Sequence, residues 1–265
     1  ELKNKSVTLT GDCLLAASFV SYTGAFDWPN RNRLWKDTWL EDLASKGIPM
    51  SAKETLDPLQ MLTSDGNNAQ MMSEGLPSDR ISIENGSVIT NSKRWPLIID
   101  PQLQGIKWLR KKEENNNLMV LQLTMARWLN NLENAITNGF CIIFENLGEE
   151  IDATLDPVLS RAVYRKGRNL YLKLGGEEVE YDQKFQLYLQ TKLANPHYKP
   201  EIQAQCTMVN FIATEAGREG QLLAKVVKEE KPEMEAQKQE LVASFQRFKI
   251  QLVELEDGLL EKLAN

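Results

Sequence analysis

The chain has 265 residues, 42% of them hydrophobic and 26% charged, the proportions of an ordinary globular protein long enough to bury a sizeable core. A formal net charge of −6, with lysine and arginine everywhere interspersed with acids, argues against a nucleic-acid partner. No apolar run approaches the ~18 residues of a membrane span; the polar start Glu1-Leu2-Lys3-Asn4-Lys5 is unlike a signal peptide and lacks an initiator methionine, so an excised segment of a longer chain is expected.

The first 47 residues read as helices. Asp12–Tyr22 is an apolar helix stopped near Gly24, and Pro29–Lys46 carries Leu34, Trp35, Trp39, Leu40 and Leu43 at helical spacing between Pro29 and Gly47. Residues 48–95 are less legible, with helical pieces at Pro58–Leu62 and Ala69–Met72 and a strand or turn expected over Ile83–Ile89 around Asn85-Gly86. From Pro96 a strand/helix alternation sets in. Pro96–Asp100 is a strand and Ile106–Arg110 opens a helix; Leu118–Leu123 is a second strand, followed by a helix capped by Thr124 and ended at Gly139. Phe140–Glu145 is a third strand, apolar throughout, as in a sheet covered on both faces. Asp156 is read as the cap of a helix that ends before Gly167, and Gly175-Gly176 as the turn of a hairpin between Leu170–Leu174 and Val179–Tyr181. Phe185–Thr191 and Thr207–Ala213 supply two further strands and Gly217–Glu230 another helix. The expected fold is α/β, a mainly parallel five-stranded sheet between helical layers, with one inserted hairpin. In the tail, Leu241, Phe245, Phe248, Leu252, Leu255 and Leu259 recur at alternating spacings of four and three, the seam of a coiled coil. Such a helix either folds back on the domain or is half of an antiparallel coiled coil whose return arm is not part of these 265 residues.

The segment between the first strand and its helix has the spacing of a phosphate-binding loop without its working residues. Asp100 and Gly105 are separated by four residues, as are the glycines of G-x-x-x-x-G-K-[ST]. Here Asp100 replaces the first glycine, Ile106 the lysine and Lys107 the hydroxyl residue, while Pro101 removes one N–H donor. The third strand ends in Glu145-Asn146, where an ATPase of this type carries an Asp that holds magnesium and a Glu that activates water. Between Leu193 and Phe211 the only cation is Lys199, a poor substitute for a catalytic arginine. Thr191 and Asn195, at the end of the fourth strand, stand where such folds sense the terminal phosphate. Three altered parts of one machine make catalysis improbable. Elsewhere, Cys13, Cys141 and Cys206 read as three buried reduced thiols, and the acidic cluster Glu149, Glu150, Asp152 and Asp156 as a solvated loop and helix cap. His197 is the sole histidine and reads as a loop residue, so no two-His metal site exists.

The stretches Gly11–Tyr22, Trp95–Gln102, Glu145–Glu150, Thr191–Tyr198 and Gln221–Pro232 together resemble the fifth AAA+ module of a dynein heavy chain, more like axonemal, outer-arm forms than the cytoplasmic one. The resemblance implies three segments: 1–10 as the end of the returning stalk helix, 11–232 as the AAA+ large subdomain with a degenerate P-loop, and 233–265 as the first arm of the strut, or buttress. It implies no cofactor for this module, with ATP and magnesium held at other modules of the parent motor. The implied partners are the fourth and sixth modules and the stalk of the same heavy chain, with microtubules reached indirectly and neither nucleic acid nor membrane involved. The implied place is the cytoplasm, the cytoskeleton and the axoneme of a cilium or flagellum, and the implied role is to couple ring rearrangement to microtubule affinity. Two other readings stand beside it: an independent P-loop nucleotide-binding protein, and a scaffold that dimerises through its terminal helix.

Overall fold

Five parallel strands form the centre of the structure, a computed structural model that describes residues 2–53, 55–212 and 215–264. Glu1 in the expected stalk segment, Ala213 in the expected last strand and Asn265 at the strut's end lie outside the described residues. The chain opens with α1 (Leu2–Tyr22) and α2 (Trp28–Asn32), which continues through a π-helical stretch, Arg33–Trp39, into α3 (Leu40–Ser45). Three helices follow: α4 (Pro58–Leu62), α5 (Asp65–Ser73) and α6 (Arg80–Asn91). Then come β1 (Trp95–Ile99), α7 (Gln104–Lys112), β2 (Met119–Leu121), α8 (Trp128–Asn138), β3 (Cys141–Phe144) and α9 (Asp156–Leu159). An antiparallel meander of β4 (Val163–Lys166), β5 (Asn169–Leu174) and β6 (Glu177–Glu180) precedes β7 (Gln186–Thr191), α10 (Pro200–Gln205), β8 (Cys206–Asn210), α11 (Glu215–Glu230) and α12 (Pro232–Ala264).

The central order is β2-β3-β7-β1-β8, with Leu97 in register with Leu189 on one side and Met208 on the other. Alternation along a strand sends successive side chains to opposite faces, and the core accordingly divides in two. Leu97, Phe144, Leu187 and Leu189 meet Leu132 and Ile136 of α8 and Leu172 of the meander. Ile98, Ile143, Tyr188 and Val209 meet Trp108 of α7, Leu15 and Phe19 of α1, and Trp35. The sheet is therefore covered on both faces, as the apolar third strand requires, and the expected α/β architecture with a mainly parallel five-stranded sheet is the one observed.

Side-chain caps set the helical starts: Asp27, Asp57, Ser64 and Asp79 each accept an N–H from the first turn that follows. Several expectations are corrected. Ile83–Ile89 is neither strand nor turn but the middle of α6. Asn85 there donates to the Asn210 carbonyl at 2.7 Å and accepts from Arg31 at 2.6 Å, and a Cβ on Gly86 would lie 2.8 Å from the Met71 sulfur. Tertiary packing thus outweighs the turn preference of Asn-Gly. Thr124 does not cap α8; the helix begins four residues later behind Arg127, in the left-handed region at φ 64°. The helix at Asp156 is four residues long, and Gly167 (φ 67°) turns the chain from β4 to β5 instead of ending that helix. The inserted hairpin is a three-stranded sheet, because the half-exposed β4 adds to it. Of the three thiols, Cys13 is exposed and only Cys141 and Cys206 are buried.

Residues 2–10 are continuous with the body, since α1 runs unbroken from Leu2 past Gly11. There the helix is pressed against the loop after α3: the Gly11 N–H donates to the Pro49 carbonyl at 3.1 Å, and the Asp12 carboxylate accepts the Ser51 N–H and hydroxyl at 2.9 and 2.6 Å. A Cβ on Gly11 would meet the Pro49 oxygen at 2.4 Å. At its far end α1 turns through Gly24, whose carbonyl accepts the Asn210 N–H (2.8 Å) and the Arg31 guanidinium (2.9 Å). Arg31 is 1% exposed and also binds Glu84 (3.3 Å) and the Phe26 carbonyl (2.9 Å). These bonds tie the end of α1 to the end of β8.

Candidate functional site

The carboxyl ends of parallel strands are where open α/β sheets hold ligands, and the loop from β1 to α7 lies there. A helix start leaves its first N–H groups without intrahelical partners. In this chain they are taken by the chain itself. Asp100, fully buried, accepts the Gln104 N–H on Oδ1 and the Ile106 N–H on Oδ2, each at 3.0 Å. An anion is favoured at this position by the helix dipole. Burial raises the Asp100 pKa above the ordinary carboxylate value, and the amides of Ile106, Gln104, Gly105 and Leu103 offset only part of that rise. Asp100 is thus an internal acceptor for the α7 amides, more than the phosphate-repelling residue the sequence suggests.

The rest of the loop is closed in the same manner. Leu103, at φ 59°, makes the tight entry to α7 that a glycine would make in an open phosphate loop. Gly105 remains glycine for packing: the Phe211 ring lies 3.1 Å from where its Cβ would be. Ile106 points into the core at 3% exposure, Lys107 lies exposed on the helix, and Pro101 is half-buried.

The strand ends beside the loop are committed to one another. Glu145 forms an ion pair with Arg110 of α7, its Oε1 3.0 Å from Nε. Asn146, left-handed at φ 56°, donates its N–H to the Gln190 side-chain oxygen at 2.8 Å. Gln190, fully buried, also donates its amide to the Asp100 carbonyl at 3.2 Å, so it joins β1 to the β3 loop. The Thr191 hydroxyl donates to the Leu147 carbonyl at 2.7 Å and accepts the Leu193 N–H at 3.2 Å, while Asn195 is exposed beyond the strand. Asp100, Gly105, Ile106, Glu145, Asn146 and Thr191 thus do converge, but Asn195 and Lys107 do not join them. Sequence reasoning placed Gln190 with Thr191 at the polar end of the strand but not its bonds to Asn146 and Asp100, and it missed Phe211 and Arg110. A glutamine inside the apolar run of β7 was a readable signal; the other two partners are distant in sequence and carried none.

The acidic stretch after β3 is used locally. Glu149 accepts the His197 N–H at 2.9 Å, with the imidazole Nδ1 3.4 Å away, and Asp152 caps the short 3-10 turn at Ala153–Leu155. Among the described residues no group of three or more His, Cys, Asp or Glu side chains could hold a metal ion, and no helix is long and apolar enough to cross a membrane. The tail presents the other feature of note. Its six seam residues, Leu241, Phe245, Phe248, Leu252, Leu255 and Leu259, are all 57–71% exposed. The helix runs beside α5 with Lys249 3.2 Å from Asp65, and the half-buried Gln246, Lys249 and Ile250 mark that side as a different face from the seam. Folding back and presenting an open seam are therefore compatible.

Residues 69–265 match the family model of the ATP-binding dynein motor region. The flagellar outer-arm dynein beta chain of Chlamydomonas reinhardtii is 49% identical over 257 residues, covering 97% of this chain, and the alpha chain of the same arm is 48% identical over 264 residues, covering all of it. Human dynein axonemal heavy chain 17 is 47% identical over 262 residues, or 99% of the chain. This chain spans 6% of the length of each of these relatives.

Proposed function

This chain belongs to the dynein heavy-chain family, and we propose that it is the fifth AAA+ module of a motor ring, a non-catalytic part that couples ATP-driven rearrangement to the stalk. The observation that carries this reading is Asp100: its carboxylate occupies the amides of α7 that phosphate would need, with Ile106 where a charge-compensating lysine would stand. On this reading residues 1–10 end the stalk helix, 11–232 form the module and 233–265 begin the strut, leaning on the stalk through the open seam. The fourth and sixth modules are its neighbours, ATP and magnesium act elsewhere in the parent motor, and microtubules are reached at a distance. The named relatives belong to flagellar outer arms and axonemes, and the parent is assigned the same place, the cytoskeleton of a cilium or flagellum.

A coupling element needs an unbroken load path between its two ends. The tight seat of Gly11 and the bonds from Gly24 to Asn210 support such a path between α1 and the end of β8. The experiment is a count of tightly bound nucleotides per intact motor. Glu145→Gln should leave that count and the basal ATP turnover unchanged; loss of one bound nucleotide, or a slowed basal rate, would overturn the non-catalytic assignment.

A further inference from the structure

At the amino ends of β1 and β7, on the side of the sheet away from the loop, a cavity of about 440 Å³ opens among Lys93, Arg94, Lys112 and Arg161. Its floor holds one carboxylate, Glu113, 2% exposed and already bound by Lys112 (2.6 Å), Asn116 (2.6 Å) and the Tyr188 hydroxyl (2.8 Å). Burial alone would raise the Glu113 pKa, but these three donors hold it below its ordinary value. Among the described residues Lys93, Arg94 and Arg161 have no ion pair. Four cations against one satisfied carboxylate make the cavity strongly positive in a chain whose net charge is −6. A concave site with low-dielectric walls concentrates such a field.

The cluster is also ordered where order matters. Arg161 lies 3.8 Å above the Trp95 ring, and that indole is fixed by a 2.8 Å bond from its Nε1 to the Val158 carbonyl. Stacking pre-orients a guanidinium whose planar fork suits a carboxylate. Lys112 closes α7, so the helix end nearest the cavity is its carbonyl end, which opposes a phosphate dianion more than a single carboxylate. The chain spans 6% of its relatives' length, and on the proposed reading of it as one module of a motor most of a heavy chain is tethered to it. Tethering raises the effective concentration of a weakly held segment to roughly the millimolar range.

We propose that this cavity is a docking site for an acidic segment of the same heavy chain outside residues 1–265, whose Asp or Glu carboxylates seat among Lys93, Arg94 and Arg161. The proposal goes beyond the coupling role and stands whether or not the β1–α7 loop binds nucleotide.

Zero-length carbodiimide cross-linking of the intact motor, mapped by mass spectrometry, tests it, because that reagent joins an amine only to a carboxylate in contact. Lys93 or Lys112 should be joined to an Asp or Glu outside residues 1–265. Arg94→Glu with Arg161→Glu should lower that yield at least about tenfold, a loss of ~1.4 kcal/mol. The exposed pair Lys46–Asp42, 2.6 Å apart, reports that the reagent works, and the pair Lys249–Asp65, 3.2 Å apart across 184 residues of chain, reports that the module is folded. Should the double variant lose the Lys249–Asp65 product, Arg94→Gln, an exposed single change, takes its place with a severalfold drop expected. The proposal fails if Lys46 is joined to Asp42 while neither cavity lysine gains a partner outside the segment. It fails equally if the partner belongs to another polypeptide, or if the product persists in the arginine variants.

Discussion

Replacing Asp100 with Asn keeps the side chain's shape but turns one acceptor oxygen into a donor facing the amide of Gln104 or Ile106, each now 3.0 Å away. One buried N–H is left unpaired, a loss of about 1–3 kcal/mol. The negative charge at the start of α7 goes as well, about 0.3–1 kcal/mol. Against these losses, the variant no longer buries a carboxylate, the effect that raises the Asp100 pKa. The net is a loss of about 1–3 kcal/mol, roughly a 5–150-fold increase in the opening of the first turn. Hydrogen exchange at the amides of Gln104 and Ile106 reads this directly and does not require the whole motor to unfold in one step. The pH dependence has a definite sign. Because the folded pKa is raised, the part of the stability linked to protonation is fully present below the ordinary carboxylate pKa and is lost as pH rises through the folded value. The difference between the native protein and the Asp100→Asn variant should therefore be largest on the acid side and shrink to a plateau towards neutral pH. Unchanged exchange at both amides would refute the account of Asp100 as the acceptor for its own helix, and a difference that grows with pH would refute the burial-raised pKa on which the sign rests.

Gly11→Ala places a methyl group 2.4 Å from a backbone oxygen that cannot swing away, so α1 must shift. A cost of about 1–3 kcal/mol is expected, seen as faster amide exchange across α1 near residue 11. Phe245→Ala with Phe248→Ala removes rings that are 61% and 66% exposed, so the thermal midpoint should hardly move. In the intact motor the same pair should weaken the coupling of ATP turnover to microtubule release; unchanged microtubule-stimulated turnover would count against the strut reading. Burial pushes the Cys141 and Cys206 thiols up to about 12, so a thiol-specific reagent at neutral to mildly alkaline pH should modify Cys13 alone in the folded chain. Labelling of Cys206 at a comparable rate would show that β8 opens readily.

Much of this protein was written locally. The apolar strands Trp95–Ile99 and Cys141–Phe144, the helices starting at Pro58 and Pro232, and the Gly175-Gly176 turn all follow from short-range patterns whose physical basis lies within a few residues. The missing lysine at position 106 was equally plain, because a phosphate loop's chemistry depends on residue types at fixed offsets. Tertiary structure alone decided that Asn85-Gly86 lies in a helix. Its stabilising partners, Arg31 and Asn210, are 54 and 125 residues away, and no local preference encodes them. It also decided what Asp100 does: a carboxylate at the head of a loop reads as repulsion until the fold aims it back at the amides of its own helix. Side-chain direction and long-range partners come from packing the whole chain, and there an absent phosphate site became an internally satisfied one.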